Sequence, residues 1–89
     1  MVERKLKIQN RLGLHARAAA LFVQTASKFN SHVTIEKDDV EVNGKSIMGI
    51  MMLAAAKGCD VTIRADGSDE ADAVVSITEL IDNKFNEEA

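Results

Sequence analysis

The sequence predicts an α+β fold in which helices cover one face of an antiparallel sheet, with the element order βαββαβα. Apolar and polar residues alternate in four short segments, which is the period of a half-buried strand. Apolar residues recur at three- and four-residue spacing in two longer segments, which is the period of a helix with one buried face. A third, shorter segment is apolar on nearly every side. We therefore predict one domain, residues 1–89, built as an open-faced β-sandwich.

The first half of the chain supplies three strands and one helix. The first strand is predicted at residues 2–8, where Arg4 alone interrupts the apolar side. Residues 16–28 are predicted as a helix, and residues 32–37 pair with a short arm at residues 40–42 across a polar turn. The apolar stripe of the helix consists of Ala19, Phe22, Val23 and Ala26.

In the second half, Asn43-Gly44 is interpreted as a turn into a helix, because the residues that follow do not alternate. Ser46 is the expected N-cap, residues 47–53 fill the helix, and Lys57-Gly58 is expected to end the segment as a C-cap. A strand follows at residues 59–65.

The last helix is predicted to start at Asp69, an N-cap candidate followed by acidic residues that suit the positive end of the helix dipole. Its core face is expected to consist of Val74, Ile77, Leu80, Ile81 and Phe85. The tail, residues 86–89, is expected to fray.

Composition excludes several classes of function. The chain has 11 basic and 14 acidic residues and a net charge of −3, without a basic run or an aromatic pair, which argues against a nucleic-acid ligand. The single cysteine, Cys59, cannot form an internal disulfide. No signal peptide or membrane-spanning segment is evident, so we expect a cytoplasmic protein without membrane insertion. The acidic clusters lack the ligand spacing of a calcium site, and we expect neither a metal nor a cofactor.

His15 is the leading candidate for chemistry. It lies where a loop containing Gly13 becomes an alanine-rich helix, and unpaired backbone N–H groups at a helix start bind anions. Arg17 adds a guanidinium that can bind phosphoryl oxygens in a forked manner. The alternative is a histidine that only caps the helix or faces solvent. No cysteine, carboxylate or second histidine lies nearby in sequence, which argues against a catalytic triad or metal site.

A second candidate region follows Asn43-Gly44. Ser46 is expected to cap its helix, and it is also a candidate for regulatory phosphorylation, because a phosphate at a helix start meets favourable amides. Ile47, Met48 and Met51 are expected to be partly exposed and to form a contact site for partners, since exposed methionines adapt to several surfaces. Ile50 and Leu53 are expected to be core residues.

Three motifs resemble one known family, the histidine-containing phosphocarrier protein HPr of the phosphoenolpyruvate-dependent phosphotransferase system. They are Gly13-Leu14-His15-Ala16-Arg17, then Asn43-Gly44-Lys45-Ser46-Ile47-Met48-Gly49-Ile50-Met51, then Ala56-Lys57-Gly58. The resemblance covers essentially the whole chain. It implies a four-stranded sheet with the first strand beside the fourth, then the second and third, and three helices on one face.

The resemblance also implies roles for individual residues. His15 would accept a phosphoryl group on Nδ1 from Enzyme I and pass it to Enzyme IIA, with Arg17 as the active-site arginine. Ser46 matches the serine that HPr kinase/phosphorylase modifies. Ala20 and Gln24 would join Ile47, Met48 and Met51 in docking. The protein would be a substrate of phosphotransferases and not an enzyme.

The sequence departs from the family pattern at Ala18, where the family usually has proline. We expect a slightly less rigid first helical turn without loss of phosphotransfer. The segment before His15 resembles the nitrogen-branch relatives called NPr, whereas the segment after Ser46 resembles the sugar-branch members that the kinase regulates. The sequence therefore leaves the branch open. Two rivals remain, a regulatory binding module without phosphotransfer and a small acid–base enzyme. We expect a monomer, since the apolar residues serve transient partners.

Overall fold

The computed structural model describes residues 1–87 and confirms the predicted element order. The strands are β1 (Val2–Lys7), β2 (His32–Lys37), β3 (Val40–Asn43) and β4 (Asp60–Asp66). The helices are α1 (Ala16–Ala26), α2 (Ile47–Met52) and α3 (Glu70–Asp82). The strands form one antiparallel sheet in the order β1-β4-β2-β3, which is the order that the family resemblance implies.

The register of the central strands places one face of the sheet against the helices. Ile35 on β2 lies opposite Ile63 on β4, and Val33 lies opposite Ala65. All four side chains are fully buried, as the alternation of apolar residues predicts. On the opposite face, Arg64 of β4 forms ion pairs with three carboxylates from the other strands: Glu3, Glu36 and Glu41.

The helices cover the buried face of the sheet with aliphatic and phenylalanine side chains. From α1, Ala19, Phe22 and Ala26 are buried as predicted, whereas Val23 is only partly buried. The face of α3 that meets the core contains Ala73, Val74, Ile77, Thr78 and Ile81. Leu80 of α3 is partly buried at the margin of this core.

The predicted hairpin between β2 and β3 is confirmed, and it closes through a two-residue turn. Lys37 and Val40 are paired, so Asp38 and Asp39 form the loop. Both aspartates adopt left-handed backbone conformations, with φ of 51° and 66°. This geometry fits a tight hairpin, whose twist favours positive φ at both central residues.

The ends of two helices differ from the prediction. Helix α1 ends at Ala26 instead of residue 28, and α2 ends at Met52, well before Lys57-Gly58. Gly58 instead lies in the connection to β4, where its N–H donates to the carbonyl of Ile8. The helix is shorter than predicted because Ala54 turns left-handed, with φ of 50°.

Asp69 occupies the N-cap position of α3, as predicted, but its side chain makes no capping hydrogen bond. Its carboxylate accepts from the backbone N–H groups of Asn30 and Ser31 and from the Ser31 hydroxyl. These contacts, the Ser31 hydroxyl above all, hold the pKa of Asp69 below its usual value. Asp69 therefore joins the end of the α1–β2 connection to the start of α3.

Phe85 is buried as predicted, yet it lies outside α3. The helix ends at Asp82, and residues Lys84–Asn86 form a left-handed turn with φ between 54° and 57°. The prediction that the tail frays is wrong for Glu87, whose side chain is held by hydrogen bonds; Glu88 and Ala89 lie outside the described residues. No helix within residues 1–87 is long and apolar enough to cross a membrane.

Candidate functional site

The loop before His15 is fixed by its contact with the chain that follows α2. Gly13 has a φ of 67°, and a Cβ atom there would lie 2.4 Å from the carbonyl oxygen of Ala55. The N–H of Leu14 donates to the same oxygen at 2.9 Å. Glycine is therefore required at position 13 for a close approach as well as for a left-handed turn. This contact sets the position at which α1 begins.

His15 is the N-cap residue of α1, and its backbone carbonyl accepts from the N–H of Ala19 at 2.8 Å. Its imidazole makes no capping hydrogen bond, so the alternative that His15 serves only as a cap side chain is wrong. The side chain is 29% exposed. The ring thus lies at the helix start, where unpaired N–H groups favour an anion, and one part of it reaches solvent.

Glu87 is a site residue that sequence reasoning missed. Its Oε2 lies 3.4 Å from Nε2 of His15 and accepts from Nδ2 of Asn10 at 2.9 Å. Its Oε1 accepts from the N–H of Leu12 at 3.2 Å. These hydrogen bonds, that of Asn10 above all, lower the pKa of the Glu87 carboxyl. Leu12 and Glu87 are 75 residues apart in sequence, so no local pattern brings them together.

Arg17 and Ala18 share a small cavity with these residues. The cavity has a volume of about 150 Å³ and is lined by Leu12, His15, Arg17, Ala18, Phe85 and Glu87. Arg17 is exposed, whereas Ala18 is fully buried in the first turn of α1. The structure therefore brings together His15 and Arg17, the two residues that were predicted to handle a phosphoryl group. Within residues 1–87, no cluster of three or more histidine, cysteine or carboxylate side chains could hold a metal ion.

Ser46 caps α2, as predicted. Its Oγ accepts from the N–H of Gly49 at 3.1 Å, and its side chain is partly exposed. The Gly49 hydrogen bond requires only a lone pair of the hydroxyl oxygen, so the hydroxyl proton can point elsewhere. The cap is therefore compatible with a hydroxyl that another protein modifies.

The apolar residues of α2 divide as predicted between surface and core. Ile47, Met48 and Met51 are 42%, 75% and 43% exposed. Ile50 and Leu53 are buried. On α1, which packs against α2, Ala20 is partly exposed and Gln24 is exposed.

Two further apolar residues are exposed, although the sequence does not predict their exposure. Met52 is 78% exposed and Leu12, in the loop before His15, is 57% exposed. Leu12 also lines the His15 cavity, so apolar surface is present next to the imidazole as well as on α2. Exposed apolar clusters of this kind are typical of contact sites for other proteins.

The profile of one protein family, described as the PTS HPr component phosphorylation site, matches residues 2–83. The chain belongs to the HPr family. HPr of Neisseria meningitidis serogroup A is 54% identical to it over 87 residues, which is 98% of each chain. A crystal structure of HPr from Thermoanaerobacter tengcongensis is 53% identical, covers both chains completely and superposes with a TM-score of 0.96.

Two further relatives are similar over most of the chain. A structure of an HPr dimer from T. tengcongensis, also 53% identical, covers 98% of this chain and all of its own, with a TM-score of 0.79. The HPr-like protein Crh of Bacillus subtilis is 47% identical over 81 residues, which is 91% of this chain and 95% of Crh. The family resemblance and the fold are confirmed. As a member of this family, the protein is a phosphocarrier of the phosphotransferase system and not an enzyme.

Proposed function

We propose that His15 accepts a phosphoryl group from phosphorylated Enzyme I and passes it to a histidine of Enzyme IIA. The observation that carries the proposal is the partly exposed imidazole at the start of α1, with Arg17 lining the same cavity. The helix start and the guanidinium favour the phosphoryl oxygens of the carrier. The exposed residues Ile47, Met48 and Met51 supply an apolar surface on which both partners dock.

The same site suits a carrier that must not hydrolyse its own phosphoryl group. Transfer between two proteins depends mainly on positioning and on stabilising the charge of the phosphoryl oxygens. The carboxylate of Glu87 lies against the imidazole and is held by Asn10 and Leu12, so it does not face the phosphoryl group as a base for water. Transfer therefore requires a partner whose acceptor atom lies in line with the bond between phosphorus and the His15 nitrogen.

The test is incubation of the protein with phosphoenolpyruvate and a general Enzyme I. We expect an acid-labile, alkali-stable phosphoryl adduct on the native chain and none on the variant His15→Ala. Addition of a purified Enzyme IIA is expected to discharge the adduct. A native chain that stays unmodified, or a His15→Ala variant that labels equally well, would contradict the proposal.

A regulatory role for Ser46 is the second part of the proposal. Ser46 is partly exposed and next to Ile47 and Met48, so a phosphate there would place negative charge beside the docking surface. Incubation with HPr kinase/phosphorylase and ATP is expected to give an acid-stable phosphate on the native chain and none on Ser46→Ala. The control is His15→Ala, which keeps Ser46. This variant should still be labelled by the kinase, because the kinase acts at a separate residue.

The alternative of a regulatory binding module is favoured by one observation, the similarity to Crh, the catabolite repression HPr of Bacillus subtilis. A module of that kind would be labelled at Ser46 but would fail the assay with Enzyme I. A nitrogen-branch carrier would instead pass both phosphoenolpyruvate labelling and transfer to a nitrogen-regulatory Enzyme IIA. Transfer rates to Enzyme IIA proteins of the two branches therefore separate these functions.

We also propose that the protein is a monomer in the cytoplasm, where it binds Enzyme I and Enzyme IIA one after the other. The dimer known for a 53% identical HPr makes the oligomeric state a point to measure. Light scattering across a range of protein concentrations is expected to give the mass of one chain. A stable dimeric mass would contradict this part of the proposal and leave the role of His15 unaffected.

A further inference from the structure

The end of the chain returns to the start of α1 through a specific backbone path. After α3 the residues Lys84–Asn86 turn left-handed, with φ between 54° and 57°. Phe85 is 2% exposed and lines the His15 cavity, so it anchors this turn in the core. Left-handed conformations of non-glycine residues are costly and persist where surrounding contacts impose them. The buried Phe85 thus fixes the point from which Glu87 approaches His15.

The carboxylate of Glu87 is surrounded by hydrogen-bond donors. Its Oε1 accepts from the N–H of Leu12, and its Oε2 accepts from Nδ2 of Asn10. Asn10 is itself fully buried, and its Nδ2 also donates to the carbonyl of Gly13 at 2.7 Å. Both carboxylate oxygens are therefore positioned by groups of the loop before His15. An ionised carboxylate, which accepts at both oxygens, matches this set of donors.

The third group that faces the carboxylate is the imidazole, with Nε2 3.4 Å from Oε2. This distance is long for a hydrogen bond, and a small shift of the ring shortens it, as commonly happens when a partner closes a site. An ionised carboxylate next to Nε2 favours a proton on that nitrogen. The other ring nitrogen, Nδ1, then carries the free lone pair.

We infer that Glu87 is a positioning residue that holds His15 as the Nε2–H tautomer, so that Nδ1 is free to accept the phosphoryl group. The inference rests on the proposed role of His15 as the acceptor. Glu87 touches the ring on the side away from Nδ1, and it acts on the reaction through His15. Through Glu87, the C-terminal segment thus contributes to the site.

The chemistry of transfer balances without a separate base. The lone pair of Nδ1 forms a bond to phosphorus while the bond from phosphorus to its donor atom in Enzyme I breaks, and that electron pair returns to the donor. The proton of His15 stays on Nε2 throughout. Because the ring gains positive charge as the new bond forms, the carboxylate of Glu87 stabilises the phosphorylated ring by facing that charge.

Two substitutions of Glu87 separate the tautomer effect from a loss of packing. In Glu87→Ala, Nε2 faces water and no group of the protein selects a tautomer. In Glu87→Gln the side chain keeps its size but has one acceptor oxygen for the two donors from Asn10 and Leu12. If the oxygen faces Leu12, the amide NH₂ points at Nε2 and favours the opposite tautomer, with the proton on Nδ1.

The first measurement is the tautomer of His15 by long-range ¹H–¹⁵N correlation of ring-labelled protein, at a pH where the ring is neutral. We expect the Nε2–H form to dominate most strongly in the native chain, less in Glu87→Ala and least in Glu87→Gln. The matched control is Glu79→Ala, which removes an exposed carboxylate of α3. Identical tautomer fractions in all four proteins would overturn the inference. The backbone amide spectrum reports in the same samples that each variant is folded.

The second measurement is the steady-state rate at which Enzyme I phosphorylates each protein. Loss of one orienting hydrogen bond is expected to lower kcat about tenfold in Glu87→Ala, and further in Glu87→Gln, with KM unchanged because the exposed residues of α2 are intact. Unchanged rates in both variants would overturn the inference. A native chain that Enzyme I does not phosphorylate would instead refute the proposed function, and the tautomer measurement would still test the contact.

Discussion

The surface around His15 has two halves that are held in place differently. The half proposed to carry the reaction, here called the reactive half, consists of Gly13, His15, Arg17 and Glu87. The half proposed to contact partners, here called the docking half, consists of Ser46, Ile47, Met48 and Met51. The docking half lies within one short helix and its cap, where the N–H of Gly49 donates a hydrogen bond to the Ser46 side chain. The reactive half is assembled from the loop before α1, the first turn of α1, the chain after α2 and the tail.

Because the two halves are held in place differently, a substitution can affect partner recognition without affecting the chemistry at His15, and the reverse. A substitution at an exposed methionine changes the surface presented to a partner without moving His15. A substitution in the loop or the tail moves or reorients His15 and leaves the exposed side chains of α2 in place. Substitutions can therefore impair the two halves independently, and the kinetic constants kcat and KM distinguish which half is impaired.

The largest expected effect is on the reactive half, at Gly13. The variant Gly13→Ala forces a Cβ atom to 2.4 Å from the carbonyl oxygen of Ala55 at a φ of 67°. We expect a loss of about 3 kcal/mol of unfolding free energy, measured by urea denaturation. The matched control is Gly58→Ala, because Gly58 also has positive φ, at 90°, but open space around it. That control should lose only about 1 kcal/mol. Equal losses at the two glycines would show that the contact with Ala55 does not fix the loop.

The next effect is on the docking half, at Met48. The variant Met48→Glu places a charge at a side chain that is 75% exposed. We expect the KM of the variant in phosphorylation by Enzyme I to rise about tenfold, with kcat unchanged. The reason is that the new charge loses its hydration when it lies against an apolar surface of the partner. Val75→Glu is the control, because Val75 is a similarly exposed apolar residue of α3. A fall in kcat instead of a rise in KM would show that Met48 belongs to the reactive half.

The two halves also differ in how far the sequence predicts them. The cap at Ser46, the exposed Met48 and Met51 and the buried Ile50 follow from residues within a single short window, and these were predicted. The strands were predicted for the same reason, because alternation is a local signal. Glu87 was missed because its role depends on where α3 ends and on a left-handed turn at Phe85.

The wrong end of α2 has a similar physical cause. The run of apolar residues predicts a helix through Leu53 with Lys57-Gly58 as its C-cap, and nothing local signals a turn at Ala54, because alanine has a high helix propensity. The structure turns left-handed at Ala54 and directs the Ala55 carbonyl towards Leu14. A tertiary contact thus overrides a local preference at the point where the docking half is joined to the reactive half.

A smaller effect is expected at this junction. The variant Ala54→Gly relieves a left-handed conformation that costs an alanine about 1 kcal/mol, and the added freedom of the unfolded chain offsets part of the gain. We expect a net stabilisation of about 0.5 kcal/mol by urea denaturation, with the phosphorylation rate unchanged. The control Ala56→Gly, in the same loop but without positive φ, should be destabilised by a similar amount. A destabilised Ala54→Gly would mean that the methyl group of Ala54 contributes to packing.

The smallest expected effect is the dependence of stability on the charge of Glu87. Its pKa lies below the ordinary value of 4.5, chiefly because Asn10 donates to the carboxylate in the folded state. A depressed pKa means that the carboxylate stabilises the fold fully above the ordinary value, and that this contribution is lost as the pH falls through the lowered pKa. The difference in unfolding free energy between the native chain and Glu87→Gln should therefore shrink as the pH falls from about 5 to about 3.

The measurement for Glu87 is urea denaturation of both proteins at several pH values in that window. His15 lines the same cavity and lies next to the Glu87 carboxylate, so the series is repeated in the His15→Ala background. A difference that persists unchanged in both backgrounds at low pH would show that Glu87 stabilises the site through shape alone. A difference that disappears in both would show that the hydrogen bonds from Asn10 and Leu12 hold the carboxylate independently of His15.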